Sequence, residues 1–235
     1  TLYACLQQLN DGSRNILTIE DPVEFAVDGV GQRQVNAKVG MTFANGLRAI
    51  LRQDPDVVMV GEIRDRETAE IAVQASLTGH LVLSTVHTND AVGAITRLRD
   101  MKVEQFLLAS TLRAVIAQRL VRRLCPHCRA EEPASAGLGS LLGLGASDAV
   151  YRPVGCAECG HSGYKGRMGV FEAVRIDPAV RKLINEGADE ATIARHAFRA
   201  VPNLSAAVRE LVLKGETTPE EAIRVSRHED GFADA

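Results

Sequence analysis

Three apolar runs in this sequence each lead directly into side chains suited to metal or acid–base chemistry. These side chains are Glu20 with Asp21 and Glu24 after the first run, Glu62 after the second, and His87 after the third. Because ligands bind beyond the carboxyl ends of the strands in a parallel α/β sheet, we expect these side chains to gather at one edge. Carboxylates and an imidazole at such an edge suit the handling of a metal-bound phosphate.

Each of these acidic residues also has a purely structural interpretation. Glu62 follows four apolar residues and Gly61. This is where P-loop ATPases place a carboxylate that handles Mg²⁺ or water, but the same position suits a solvated strand end. Glu20 begins a Glu-Asp-Pro sequence, and Glu24 follows this sequence two residues later. Such sequences are common in turns without any chemical role. Two carboxylate-bearing strand ends in one sheet favour the chemical interpretation of both.

Two histidines flank the third apolar run, His80 before it and His87 after it. Seven residues of extended strand separate them by roughly 23 Å, so both cannot contact one phosphate. His87 shares the carboxyl edge with the acidic residues and is the stronger catalytic candidate. His80 is predicted to be a structural or interface residue. Four arginines could contact phosphate or a neighbouring subunit, although surface arginines usually do neither: Arg48, Arg52, Arg64 and Arg66.

A second group of residues has the spacing of a metal site. Cys125 and Cys128 form one pair, and Cys156 and Cys159 form another, with two residues between the members of each pair. Four thiolates predict a tetrahedral structural Zn²⁺, which leaves no position open for catalysis. Such an ion would close the long loop between the pairs, whose closure entropy opposes order. Disulfides or an empty site are the alternatives, and a cytosolic location disfavours disulfides. Cys5 is predicted to be a small core residue.

The elements that must position these residues alternate as strands and helices from residue 1 to about residue 124, as in a mostly parallel α/β sheet. Residues 29–35, punctuated by glycine, predict an additional short strand. Thr42 and Asp65 are predicted helix N-caps, and Gly79 a helix stop.

The second half of the chain has a different pattern. Residues 105–124 carry apolar residues at helical spacing and are predicted as a helix. A Gly/Ser-rich excursion separates the cysteine pairs. Residues 169–174 predict a strand, and the rest is predicted to be helical. Thr218 with Glu221 predicts a capping box at the last helix.

Composition limits the function classes. With 235 residues and 46% hydrophobic content, the chain is long enough for one sizeable core and a smaller lobe. No apolar run approaches the ~18 residues of a membrane span. A net charge of −3 and the absence of Trp argue against a general nucleic-acid binder. The first residues predict a helix already under way at Thr1, and we expect a phosphate-binding loop just before it.

Taken together, these motifs resemble the bacterial secretion ATPase superfamily that drives type II secretion and type IV pilus assembly. Residues 19–25 resemble its aspartate box, residues 51–65 its atypical Walker B motif, and residues 78–88 its histidine box. The four cysteines resemble its zinc-binding tetracysteine element. Residues 50–90 and 215–224 are most similar to the type II secretion ATPases of the general secretion pathway.

The resemblance implies a fold class and an assembly. It implies an α/β fold with a RecA-like P-loop NTPase core over residues 1–124, truncated before its phosphate-binding loop. A zinc-bearing insertion over residues 125–165 and a small, mainly helical C-terminal lobe over residues 166–235 would follow. The implied assembly is a cytoplasmic homo-hexamer, held at the inner membrane by platform and anchor proteins of the secretion system. No nucleic-acid partner is expected.

The resemblance also implies roles for individual residues. Glu62 would orient or activate the attacking water, Glu20 and Glu24 would support Mg²⁺ and water, and His87 would sense the γ-phosphate. Asp21, His80 and Arg64 are the expected additional contacts to ATP and Mg²⁺. The four cysteines would bind structural Zn²⁺.

The implied function is ATP hydrolysis that drives pseudopilus assembly in type II protein secretion. Residues 1–235 alone are expected to be inactive, because the phosphate-binding loop and its Lys are not among them. A type IV pilus assembly ATPase shares all of these motifs and is the near alternative. A non-catalytic zinc-bearing scaffold is the alternative of another class.

Overall fold

The computed structural model describes residues 1–145 and 148–226. Within these ranges the chain folds as two units that are interleaved along the sequence. Unit one comprises residues 1–88, 94–113 and 176–190. Unit two comprises residues 89–93, 114–175 and, as far as the description extends, 191–226.

Strands and helices alternate through the first half of the chain, as the sequence predicts. In chain order they are α1 (Leu2–Leu9), β1 (Ile16–Glu20), β2 (Val30–Gln34), α2 (Phe43–Ile50), β3 (Val57–Val60), α3 (Arg66–Leu77), β4 (Leu81–Ser84), α4 (Ala91–Asp100) and α5 (Gln105–Thr111). A short 3₁₀ turn covers Ala37–Val39. The second half contains β5 (Ala114–Leu124), β6 (Ala130–Pro133), α6 (Ala136–Leu142), β7 (Ala149–Arg152), β8 (Tyr164–Arg175), α7 (Pro178–Asn185), α8 (Glu190–Ala197), α9 (Leu204–Leu213) and α10 (Pro219–Ser226), with a second 3₁₀ turn at Ala157–Cys159.

Unit one is built on a four-stranded parallel sheet with strand order β2-β1-β3-β4. Every residue of β1 and β3, the two central strands, is buried, as expected where both faces of a parallel sheet are covered. Leu6 of α1 packs on Ile16, Val57 and Met59 of these strands. The predicted α/β fold with a parallel sheet is therefore confirmed, and so is the additional strand near residues 29–35, which is β2.

Local capping signals predict the helix ends of unit one correctly. The Thr42 hydroxyl accepts a hydrogen bond from the Asn45 N–H at 3.2 Å and begins α2. The Asp65 carboxylate accepts from the Thr68 N–H at 2.8 Å and begins α3. Gly79, which follows the C-cap Thr78 of α3, has a φ of +101°, a conformation that glycine adopts without strain.

The helix predicted over residues 105–124 is wrong in its second half. Helix α5 ends at Thr111, and residues from Ala114 onward form β5. Strand β5 pairs antiparallel with β8, from Ala114 opposite Arg175 to Leu124 opposite Tyr164. Pairing with a strand about fifty residues away in sequence outweighs the local helical spacing, because strand formation depends on its cross-strand neighbours.

Unit two contains two antiparallel strand pairs, β5–β8 and β6–β7, together with α9 and α10. The strand predicted over residues 169–174 is confirmed as part of β8. One face of β5–β8 packs on α9 and α10 through apolar side chains: Val121, Val170, Val208, Val212 and Val225.

Two buried glutamates bind backbone N–H groups of unit two. Glu172, 2% exposed, accepts from the Ala91 N–H at 2.6 Å and the Leu204 N–H at 2.9 Å, the first residues of α4 and α9. Glu221 accepts from the backbone N–H of Arg122 at 2.8 Å and from its Nε at 3.0 Å. The predicted capping box is therefore half formed. Thr218 caps the Glu221 N–H, whereas the Glu221 carboxylate binds Arg122.

None of the helices in the described residues is both long and apolar enough to span a bilayer. The sequence division into residues 1–124, 125–165 and 166–235 stays a prediction. The last nine residues of the third predicted segment, 227–235, lie outside the described residues.

Candidate functional site

A cavity of about 320 Å³ lies in unit one at the carboxyl ends of β1, β3 and β4. Seven residues were predicted for the nucleotide site, and five of them line this cavity: Glu20, Asp21, Glu24, Glu62 and His87. Each is the last residue of a strand of the parallel sheet or lies in the loop that follows one, which is the edge where such sheets bind ligands. Three separate segments of the sequence thus contribute polar side chains to one cavity.

Glu62 is the centre of a three-residue cluster at this edge. Its Oε2 atom lies 2.6 Å from Nε of Arg64 and 2.9 Å from Nε2 of His87. The Glu62 side chain is 11% exposed, whereas that of His87 is 78% exposed. The carboxylate is thus held nearly buried by a guanidinium and an imidazole, and the imidazole remains accessible to a ligand.

Glu20 is held differently, by neutral hydrogen-bond donors. It is 3% exposed. Its Oε1 accepts from the Thr18 hydroxyl and from Nε2 of Gln32 at 3.2 Å, and its Oε2 accepts from the Tyr3 hydroxyl. Buried carboxylates are stable when their oxygens are hydrogen-bonded, so these donors fix where this negative charge lies.

The turn after β1 is attached to α1 through Tyr3. The Tyr3 hydroxyl accepts from the Glu24 N–H at 3.1 Å, and the rings of Tyr3 and Phe25 have centroids 4.4 Å apart. The Asp21–Pro22 peptide bond within this turn is cis. Asp21 and Glu24, both on this turn, line the same cavity as Glu20.

The loops that follow β3 and β4 are joined through Thr85. The Thr85 hydroxyl donates to the Gly61 carbonyl at 2.7 Å, and the Ile63 N–H donates to the Thr85 carbonyl at 2.9 Å. These two bonds bracket Glu62 and lie two residues before His87. The backbone positions of Glu62 and His87 are therefore set together.

His80 lies at the amino end of β4, the end opposite to His87. Its Nδ1 atom is 3.0 Å from the Thr78 hydroxyl and 2.9 Å from the Ala75 carbonyl. These contacts close the C-terminal end of α3, which agrees with the structural interpretation reached from strand geometry.

Two further arginines make ion pairs on the surface of unit one. Arg48 pairs with Glu67 at 2.7 Å, and Arg66 pairs with Glu70 at 2.6 Å. Neither arginine lines the cavity, and Arg64 does not line it either, but Arg64 contacts Glu62, which does.

Sequence reasoning missed Tyr3, Thr18 and Gln32 as partners of Glu20. The positions of Thr18 and Gln32 follow from the parallel register of β1 and β2, in which these two residues are paired. A pairing between two strands cannot be recognised from the local sequence of either strand. The periodicity of α1 marks Tyr3 simply as a partly apolar helix position.

The four predicted metal ligands come together in unit two. The sulfur atoms of Cys125, Cys128, Cys156 and Cys159 all lie within 4.8 Å of one another. Each cysteine of the first pair also lies close to one of the second pair. The sulfur of Cys125 is 3.9 Å from that of Cys156, and the sulfur of Cys128 is 3.9 Å from that of Cys159. Sulfurs that each lie about 2.3 Å from a tetrahedral zinc are about 3.8 Å apart, whereas a disulfide needs about 2.05 Å. The spacing fits a tetrahedral metal and not a disulfide.

Backbone N–H groups point at these sulfurs. Gly155 donates to Sγ of Cys128 at 3.3 Å, and Cys156 and Gly163 donate to Sγ of Cys159 at 3.3 Å and 3.2 Å. The N–H of Cys156, reinforced by that of Gly163, lowers the pKa of the Cys159 thiol to about 6. Donors of this kind favour the thiolate form, which is the form that binds metal.

Substitution of Gly163 by Ala tests how tightly the cysteine cluster is packed. Gly163 has a φ of +76°, and an added Cβ would lie 2.4 Å from Cβ of Pro153. We expect Gly163→Ala to lower the free energy of unfolding of unit two by about 3 kcal/mol, combining left-handed strain with a clash. Denaturant unfolding measures the loss.

Gly166→Ala is the matched control. Gly166 has nearly the same φ, +75°, but nothing lies within 4 Å of an added Cβ. It should therefore lose about 1 to 2 kcal/mol from backbone strain alone. Equal losses for the two substitutions would contradict the close approach of Pro153 to Gly163.

Comparisons with known proteins agree with this arrangement. The family described as "Type II/IV secretion system protein" matches residues 1–224. "Type II secretion system protein E" of Aeromonas hydrophila is 58% identical over 231 residues, which are 97% of this chain and 46% of that protein. The protein of the same name from Pseudomonas aeruginosa is 59% identical, again over 97% of this chain and 46% of its own length. The chain spans about half the length of the curated relatives it matches.

Solved structures share the fold. The pilus retraction motor PilT with bound ADP aligns over 100% of this chain and 59% of its own, with a TM-score of 0.72 and 28% identity. The Legionella pneumophila ATPase DotB aligns over 97% of this chain and 52% of its own, with a TM-score of 0.57 and 23% identity. The second likeness concerns the fold alone.

Proposed function

Since this chain belongs to the type II/IV secretion system protein family, we propose that it is the C-terminal half of an ATPase that drives pseudopilus assembly in type II secretion. The observation that carries the proposal is the convergence of Glu20, Glu62 and His87 on one cavity at the carboxyl edge of a parallel sheet. The relative from Vibrio cholerae, 55% identical, is named a type II secretion system ATPase, which supports the same activity.

In this proposal Glu62 is the general base that orients the attacking water. Arg64 and His87 share its Oε2 atom, and Oε1 is left as the acceptor for the water proton. Exposed and within reach of Glu62, His87 contacts the γ-phosphate and reports its presence to the carboxylate. Arg64, 2.6 Å from the same carboxylate, is a further contact to the nucleotide. His80, at the opposite end of β4, holds the end of α3 and has no direct contact with the nucleotide in this proposal.

The acidic residues after β1 suit a divalent cation. Mg²⁺ prefers carboxylate and water oxygens, and Glu20, Asp21 and Glu24 line the cavity together. We assign Mg²⁺ to these residues, with ATP as the nucleotide. When bound, the ion neutralises charge on the phosphates. The chain's own part is to hold the carboxylates in place and to present Glu62 to water.

We further assign structural Zn²⁺ to the four cysteines, because the sulfur spacing and the N–H donors both suit it. The core of residues 1–124 is RecA-like in this proposal, and residues 125–165 are its zinc-bearing insertion. The remaining residues, 166–235, form the mainly helical lobe. The motor is a cytoplasmic homo-hexamer that reaches the inner membrane through platform and anchor proteins, without a nucleic-acid partner.

Two alternatives are separable from this proposal. A type IV pilus assembly ATPase would use the same residues, and the likeness to PilT, a pilus retraction motor, fits a pilus-type ATPase in general. A zinc-bearing scaffold without catalysis would not need the polar cavity, so the convergence of its carboxylates and imidazole argues against that role.

Comparing residues 1–235 with the full-length protein tests the proposal. The 235 residues contain no Gly-x₄-Gly-Lys-Ser/Thr sequence, the loop whose N–H groups and Lys hold the phosphates. We therefore expect full-length protein to release phosphate from ATP and residues 1–235 to release it at least about a hundredfold more slowly. Robust hydrolysis by residues 1–235, or none by the full-length protein, would contradict the proposal.

A further inference from the structure

One hydroxyl group connects both acidic ends of the turn after β1. The Tyr3 hydroxyl donates to Oε2 of Glu20 and accepts from the N–H of Glu24 at 3.1 Å. Nε2 of Gln32 lies 3.4 Å from the same oxygen. Tyr3 therefore contacts the carboxylate at the end of β1 and the backbone of the second acidic residue at once.

Glu20 depends on neutral donors to a degree that is unusual for a buried carboxylate. It is 3% exposed, and the donors to it are the hydroxyls of Tyr3 and Thr18 and the amide of Gln32. In the described part of the chain, no Lys, Arg or His side chain forms an ion pair with it. Without a cation nearby, these hydrogen bonds alone determine where the charge lies.

The three donors leave one acceptor position on Glu20. A carboxylate has about four lone-pair positions, and two donors occupy Oε1 while Tyr3 occupies one position of Oε2. The position that remains belongs to the oxygen that Tyr3 holds. Loss of the Tyr3 hydroxyl would remove the only donor that the described residues supply to this oxygen, whereas Thr18 and Gln32 would continue to bind the other.

The surroundings of Tyr3 keep it in this role. Its ring packs on Phe25, with centroids 4.4 Å apart. The N–H of Glu24 and Nε2 of Gln32 approach the same hydroxyl oxygen from the turn and from β2.

We infer that Tyr3 is a positioning residue for the divalent cation: it fixes Oε2 of Glu20 and the backbone of Glu24 in the arrangement that receives metal-bound nucleotide. This inference rests on the proposed ATPase function. Tyr3 acts through Glu20 and the turn, and takes no part in the chemical step itself.

Tyr3→Phe in the full-length protein tests this inference. The substitution removes one oxygen and keeps the ring. We expect the Mg²⁺ concentration for half-maximal ATP hydrolysis to rise about tenfold and kcat to fall about tenfold, the expected effect of losing one hydrogen bond to a charged group. Binding of a fluorescent ADP analogue in EDTA should stay unchanged, since the metal is then absent.

Tyr151→Phe is the matched control. The Tyr151 hydroxyl also donates to a glutamate, Oε2 of Glu131 at 3.1 Å, but in unit two and on the surface. Tyr151→Phe should leave the Mg²⁺ dependence of ATP hydrolysis unchanged. In a Glu20→Gln background, Tyr3→Phe should raise the Mg²⁺ concentration for half-maximal hydrolysis by less than a further twofold, because both changes act on the same contact.

The outcomes separate the inference from the function on which it rests. A full-length wild type without ATP hydrolysis overturns both. An active wild type in which Tyr3→Phe behaves like Tyr151→Phe overturns the role of Tyr3 alone. Equal weakening of nucleotide binding with and without Mg²⁺, or full additivity with Glu20→Gln, also overturns that role.

Discussion

Glu62→Gln in the full-length protein is expected to lower ATP turnover by about a hundredfold or more and to leave ATP binding intact. Glutamine has the same shape as glutamate but cannot take a proton from water. Its amide oxygen can still accept from Arg64 and His87, which lie 2.6 Å and 2.9 Å from Oε2 in the wild type. Phosphate release at saturating ATP measures the turnover, and a fluorescent nucleotide titration measures the binding.

Glu67→Gln is the appropriate control for this experiment. Glu67 also pairs with an arginine, Arg48 at 2.7 Å, but its side chain is 61% exposed and lies outside the cavity. An exposed pair of this kind contributes about 0 to 1 kcal/mol, so turnover should stay within twofold of the wild type. If Glu62→Gln retained wild-type turnover, Glu62 would have no place in the mechanism.

Cys125→Ser should release the metal from unit two. Zinc content is expected to fall from about one ion per chain to near zero, since structural zinc sites use all four ligands. The cluster lies between β5 and the start of β8, and the Cys125 N–H donates to the Gly163 carbonyl at 2.9 Å. Without the ion the midpoint of thermal unfolding should fall by roughly 10 °C or more, given about 4–8 °C for each 1 kcal/mol in a domain of ~100 residues. Atomic emission and calorimetry measure the two effects.

Cys5→Ser separates loss of the metal from the general effect of the substitution. Cys5 lies on α1 in unit one and is not part of the four-cysteine cluster. Its variant should keep full zinc content, with at most a small change in stability. Reduced wild-type protein that contains no zinc, or a Cys125→Ser variant that keeps it, would reject the zinc assignment.

Those parts of the fold that depend on neighbouring residues could be predicted from the sequence. Thr42 and Asp65 cap their helices through atoms three residues away, and each leaves a local signal. The convergence of Glu20, Glu62 and His87 follows from strand order in a parallel sheet, where each crossover returns the chain to the same edge. The cysteine cluster could also be predicted, because its ligand spacing is local within each pair.

The remainder depends on contacts between distant segments. Strand β5 forms because β8 pairs with it, and the sequence of residues 105–124 alone favours a helix. The Glu221 carboxylate binds Arg122, about a hundred residues earlier, instead of completing its own capping box. The bond from Tyr3 to Glu20 requires α1 and β1 to be placed before it can be seen. These are tertiary effects that override local preference.

The bonds made by Thr85 have a mechanical consequence. Since its hydroxyl and its carbonyl both bind the backbone around Glu62, at 2.7 Å and 2.9 Å, the segments before His87 and around Glu62 form one stiff piece. A displacement of the segment before His87 is therefore transmitted to the backbone around Glu62 through Thr85, even when the side-chain contact between His87 and Glu62 is broken. In the proposed mechanism, the residue that senses the γ-phosphate and the residue that positions the water would therefore move together.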